Sequence, residues 1–95
     1  MEKGELIFEI EDVFSIIGKG TMIVGLVRCN IIEVNQSIII DPIFLPKLNS
    51  KIIGIEMFRK FVQTAKLNDN VGLLIDDVDK KQVKKRMKIY KSTTQ

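Results

Sequence analysis

Sixteen isoleucines and eight valines stand against a single alanine, Ala65, in this 95-residue chain. β-Branched side chains lose χ1 freedom in a helix and pack well on a pleated surface, so a chain of this make-up is expected to be built from strands. Hydrophobic residues make up 45% of it and the mean hydropathy is +0.12, too apolar for a disordered segment. At this length there is room for one domain with one thin core, which excludes a two-domain enzyme.

The order of residues supports strands separated by turns. Across residues 6–17, Phe8, Ile10, Asp12, Phe14 and Ile16 share one parity while Glu9 and Glu11 take the other, which predicts a strand with one wet face. Gly18-Lys19-Gly20 interrupts this run, residues 21–28 resume it, and the pair reads as a hairpin. Turns are expected at Asn30 and Asn35, a buried strand over residues 37–40, and a loop over residues 41–50, which contain Pro42, Pro46 and Asn49. Residues 51–58 look extended, yet Phe58, Phe61, Val62 and Ala65 fall at i, i+3, i+4 and i+7, which predicts a helix. A turn at residues 67–70 precedes an apolar strand over 71–75. Near the end, Val83, Met87 and Tyr90 are helix-spaced, while Met87, Ile89 and Lys91 alternate as in a strand. Many short strands in one small chain predict a closed barrel or a sandwich.

Several kinds of chemistry are excluded by what is missing. With no histidine and one cysteine, Cys29, the chain has no histidine-based catalysis, no internal disulfide and no cysteine zinc site. Gly18-Lys19-Gly20-Thr21 lacks the spacing of a phosphate loop, so nucleotide hydrolysis is not expected. Asp76, Asp77 and Asp79 lack the ligand pattern of a calcium loop and read as a solvated turn. Glu9 and Glu11 read as a wet strand face. No enzyme, metal or cofactor is expected. Neither a signal peptide nor a membrane span fits the start of the chain, and a soluble, cytoplasmic protein is expected.

Charge is divided unevenly. Residues 1–79 hold eight basic and twelve acidic residues, a net −4, whereas residues 80–95 hold seven basic residues and no acidic one. Clustered cations of this kind bind phosphates by releasing counterions, so Lys80, Lys81, Lys84, Lys85, Arg86 and Lys88 are candidate phosphate contacts.

Three blocks resemble the second domain of translation elongation factor Tu. They are Ile10-Glu11-Asp12-Val13-Phe14-Ser15-Ile16 with Gly18-Lys19-Gly20-Thr21, then Gly54-Ile55-Glu56-Met57-Phe58-Arg59-Lys60, then Asp69-Asn70-Val71-Gly72-Leu73-Leu74. The similarity runs from about Phe8 to about Lys91 and is poor over residues 37–50. It implies a closed six-stranded antiparallel β-barrel, with Glu56 to Lys60 on a strand and its continuation instead of a helix.

In that family the barrel receives the aminoacylated 3′ end of transfer RNA, contacts the ribosome, and packs against a GTPase domain and a third barrel. The resemblance therefore implies an RNA-end site in which Glu56, Arg59 and Asn70 recognise the end, and Ile16, Met22 and Leu74 line an adenine pocket. Transfer RNA or ribosomal RNA is the implied partner of a non-catalytic module standing apart from its GTPase. The chain departs from the pattern where Arg86 replaces a glycine before the last strand, and where Ser92-Thr93-Thr94-Gln95 replaces a Pro-Gly exit. The alternative reading is a protein-interaction module that pairs with itself, a GTPase or another translation factor, using apolar residues left exposed on a small body.

Overall fold

The computed structural model describes residues 3–42 and 46–93. These contain β1 (Lys3–Ile16), β2 (Gly20–Val27), β3 (Ile31–Glu33), β4 (Ser37–Asp41), β5 (Leu48–Met57), β6 (Lys60–Val62), β7 (Thr64–Lys66), β8 (Asn70–Ile75) and β9 (Lys88–Ser92). A single 3₁₀ turn, Lys80–Gln82, precedes β9. The order β4-β9-β1-β2-β8-β5, with β5 returning to β4, closes a six-stranded antiparallel barrel. Strand β6 extends this sheet beside β5, and β3 pairs with β7 separately. Of the barrel and the sandwich that the strand pattern allows, the chain forms the barrel.

Isoleucine fills the interior. Ile23, Ile38, Ile40, Ile52, Ile55 and Ile89 are fully buried together with Phe8 and Leu73. One end of the barrel is closed by residues 76–87, which send Val78, Val83 and Met87 into the same core. This segment is held by two devices. The buried Thr21 hydroxyl donates to the Val78 carbonyl at 2.6 Å. Asp79 and Gln82 form a capping box around the 3₁₀ turn. The basic run is therefore anchored to a folded surface, and its final part is β9, paired with β1 on one side and β4 on the other.

Three sequence expectations are corrected. The parity of β1 does not persist, because a bulge between Ile10 and Asp12 shifts its register against β2. Phe8 and Ile10 point inward before the bulge. Beyond it, Val13 packs against the core and Phe14 is exposed, so Phe14 and Ile16 leave the face assigned to them. The helix expected from Phe58 to Ala65 is absent. These residues form a tight hairpin turn, β6 and β7, and the apparent 3.6-residue period arises from a strand that changes sheets at Gln63. Finally, the loop placed at residues 41–50 ends earlier, since Leu48, Asn49 and Ser50 already pair with β4. Residues 43–45 of that loop lie outside the described residues.

Left-handed backbone marks the turns. Asn35 and Asn68 have φ of 76° and 73°, as suits asparagine. Less expected are Phe58 and Arg59, at 53° and 66°, which join β5 to β6 as a two-residue turn normally occupied by Asn-Gly. Arg86 is also left-handed, at 75°, and its amide donates to the Ile10 carbonyl at 2.6 Å.

Candidate functional site

Alternation along each strand decides which side chains leave the core. On β2 and β8, Ile23, Val27, Val71, Leu73 and Ile75 belong to the interior cluster, so Met22 and Leu74 point outward. Both are nonetheless buried, at 6% and 8% exposure, which places them in a small apolar cluster on the outer wall. Phe14, Met22, Leu74 and Gly54 are cross-strand neighbours in one row over β1, β2, β8 and β5. At about 4.8 Å between strands, this row is roughly 14 Å wide.

Two glycines shape its floor. A Cβ at Gly54 would lie 3.2 Å from the Phe61 ring, and one at Gly72 would lie 2.8 Å from the Met22 sulfur. Their missing side chains let Phe61 lean over β5 and Met22 over β8. The result is a shallow apolar trough in which Phe14 and Phe61, 46% and 53% exposed, supply the open surface and Met22 and Leu74 lie almost covered between them. The Lys19 ammonium, from the β1–β2 turn, stands 5.0 Å from the centroid of the Phe61 ring.

The residues singled out from the sequence are distributed as follows. Glu56 is half-buried on the outward face of β5, opposite Gly72 on β8 and Phe61 on β6. Asn70 is exposed on the same outward face of β8, two residues before Gly72. Arg59 is exposed in the turn that closes the β5–β6 hairpin. Ile16 is half-buried at the end of β1, two residues beyond Phe14 and opposite Gly20. Glu56, Arg59, Asn70, Ile16, Met22 and Leu74 thus lie on or around one wall.

Among the described residues the ion pairs are Lys3–Asp41 at 2.9 Å and Arg28–Glu9 at 3.4 Å, both elsewhere. The carboxylate of Glu56 is consequently free to accept a hydrogen bond, and Arg59 is not neutralised by it.

The basic run is not gathered at this wall. Lys80, Lys81, Lys84, Lys85, Arg86 and Lys88 are all exposed, but Lys80 borders one cleft and Lys85 and Arg86 another, while Lys81, Lys84 and Lys88 line neither. Lys80 lines one of about 440 Å³ together with Lys19, Ile53 and the acidic Asp76, Asp77 and Asp79. Lys85 and Arg86 line another of about 390 Å³ with Arg28, Glu9 and Glu11. Lys88 sits between Glu9 and Asp41 in the sheet. Of the six, Lys80 shares a cleft with Lys19, the cation that reaches the trough.

Sequence reasoning missed Phe14, Phe61 and Lys19 as parts of this site. A hairpin reading of residues 56–61 would have found Phe61, since Glu56 and Phe61 are symmetric about a two-residue turn. Phe14 was hidden by the bulge.

Cys29 is buried, its thiol donates to the Ile31 carbonyl at 3.3 Å, and burial pushes its pKa up. Among the described residues no three acidic or cysteine side chains are gathered to hold a metal ion, and no helix is long and apolar enough to cross a membrane. Exposed aromatic rings beside an unpaired carboxylate suit a flat ligand that carries hydroxyl donors. The chain is a small all-β barrel with such a trough on its outer wall. Comparison with models of known protein families finds no match.

Proposed function

We propose that this barrel is a non-catalytic RNA-binding module that takes the 3′ end of an RNA strand in the outer-wall trough, in the manner of the second domain of elongation factor Tu. The observation that carries the reading is the pairing of an outward apolar row, Met22 and Leu74 flanked by the exposed rings of Phe14 and Phe61, with the partnerless, half-buried carboxylate of Glu56 one cross-strand row away. A nucleobase would rest against the exposed rings that flank Met22 and Leu74, and Glu56 would accept a hydrogen bond from a ribose hydroxyl, the group that distinguishes RNA from DNA. Arg59 and Asn70, flanking this position, would contact the phosphate and the group attached to the end. The acceptor end of aminoacyl-transfer RNA is the first ligand to test, and a ribosomal RNA site the next. Phosphate contacts from Lys80, Lys81, Lys84, Lys85, Arg86 and Lys88 would add affinity without reading sequence.

The test is a titration of aminoacylated and deacylated transfer RNA at salt from roughly 50 to 200 mM, beside Glu56→Ala and Arg59→Ala. The reading expects affinity that falls steeply with salt, favours the aminoacylated form and weakens in both variants. Absence of salt-dependent binding at tens of micromolar protein refutes it.

A second reading rests on the hairpin tips, where Ile17 is 101% and Phe58 88% exposed. Apolar residues presented so openly favour a protein partner, either another copy or a translation factor. Sedimentation across a concentration series and a pull-down distinguish the readings, and a strict monomer with no captured protein counts against this one.

A further inference from the structure

We propose that the end of this wall around the β1–β2 turn is the contact face of a two-fold dimer of the chain. The proposal rests on the protein-partner reading and narrows it to a second copy. The register sets Ser15, Thr21, Ile75 and Ile52 in one cross-strand row, directly beside the row of Phe14, Met22, Leu74 and Gly54. Four of the seven exposed large hydrophobic residues among those described gather at these two rows. Phe14 lies in the second row, the Phe61 ring lies against Gly54, Ile53 falls between Ile52 and Gly54 on β5, and Ile17 stands fully exposed in the turn after β1. The others are elsewhere. Phe58 is four residues past Gly54, roughly 13 Å further along β5 and at the opposite end of the wall. Ile31 and Leu67 lie at the β3–β7 pair.

The size of this patch suits two copies. Phe14 and Phe61, each about half exposed, together offer the surface of one aromatic side chain, about 200 Å². Ile17 and the open two-fifths of Ile53 add roughly 150 Å². Two copies face to face therefore cover about 700 Å² of apolar surface, and at the usual apolar share of roughly 60% the whole contact is about 1,200 Å². That is the lower edge of a standard interface and matches a reversible dimer. Charge favours the same occupant. Lys19 and Lys80 line one cleft with Ile53 and the acidic Asp76, Asp77 and Asp79, and none of these five charges belongs to an ion pair among the described residues. A cleft that holds both signs unpaired can match each with the opposite sign on its own copy, since a two-fold axis makes every such contact twice. A polyanion, by contrast, meets three carboxylates here. The net charge of the chain is only +3, so two copies repel each other weakly. Because Phe14 and Phe61 also border the trough, a bound RNA end and a second copy exclude one another.

Sedimentation velocity of the intact chain from about 1 to 500 μM tests this, with a dimer expected to form at tens of micromolar, the weak end for a contact of this size. Ile17→Lys alters a fully exposed side chain and leaves the fold intact. It should weaken the dimer by at least about tenfold, because the burial is lost from both copies. Phe58→Asn suits the left-handed backbone at that position and lies at the opposite end of the wall. It should leave the dimer constant within about twofold, as distant sites do not couple. Matching circular dichroism spectra establish that both variants are folded. Amide shifts that move on dilution should fall at residues 14–21, 52–54, 61 and 74–77. A strict monomer throughout the range overturns the inference, and if no other protein is captured either, the protein-partner reading falls with it. A dimer that survives Ile17→Lys, or that Phe58→Asn dissolves, overturns the inference and leaves that reading standing.

Discussion

Phe58 and Arg59 occupy consecutive left-handed positions, φ 53° and 66°, that ordinary side chains avoid. Each such residue costs about 1–2 kcal/mol relative to a glycine-compatible choice, so the turn carries roughly 2–4 kcal/mol of local strain. Phe58 contributes little burial in return, being 88% exposed. Replacing the pair by Asn-Gly, the residues the turn geometry prefers, should relieve most of this strain. Glycine's extra chain entropy takes back about 0.5–1 kcal/mol. A net stabilisation of about 1–2 kcal/mol is expected, which in a domain of this size raises the melting temperature by roughly 5–15 °C. Thermal unfolding followed by circular dichroism or calorimetry measures it directly. The double variant should at the same time bind RNA more weakly, because Arg59 is gone. A melting temperature that is unchanged or lower would refute the strain argument, and unchanged RNA affinity would remove Arg59 from the site. Together, the expected results would show residues retained at the turn against stability, as happens where function selects them.

Further perturbations test the fold beneath the site. Gly25→Ala should unfold or severely destabilise the barrel, because a Cβ there would collide with the Glu9 carbonyl oxygen and press on the Phe8 ring at 3.1 Å; a melting point near wild type would contradict the β1–β2 packing. Thr21→Val keeps the shape but leaves the buried Val78 carbonyl without its 2.6 Å donor. A loss of about 1–3 kcal/mol is expected in denaturant titrations, and an effect within a few tenths would show that the hydroxyl does not anchor the 76–87 segment. Cys29, buried with its thiol pKa raised by desolvation, should react with a disulfide reagent slowly at neutral pH and rapidly once guanidinium unfolds the chain. Fast stoichiometric labelling of the native protein would contradict its placement.

Much of the barrel was legible because its signals are local. The excess of isoleucine and valine, the glycines at 18 and 20 and the asparagines at 35 and 68 marked strands and turns that the structure contains. What misled was any pattern that depended on phase. A single bulged position near Glu11 sends Phe14 outward, and a strand switch at Gln63 makes Phe58, Phe61, Val62 and Ala65 imitate a helix. Leu48 pairs with Ile40 across a segment rich in turn residues, so composition placed the start of β5 too late. The trough was harder still. Its floor and walls come from β1, β2, β5, β6 and β8, and no sequence window contains them all. The residues nominated around it came from a resemblance in three separated blocks. The basic run, conspicuous as a sequence cluster, is dispersed by the fold, with Lys80 in one cleft, Lys85 and Arg86 in another and Lys81, Lys84 and Lys88 in neither.

Recognition of an RNA end by this barrel would depend most on Glu56 accepting from the hydroxyl of a terminal ribose. The direct measurement compares two short RNA strands, identical except that one ends in a 2′-deoxyribonucleotide, against wild-type protein and Glu56→Ala. A hydrogen bond to a charged acceptor predicts about tenfold or greater loss of affinity for the deoxy end with wild type, and no difference between the ends with Glu56→Ala. Equal binding of both ends by the wild-type protein, or a deoxy penalty that survives in the variant, would contradict the claim.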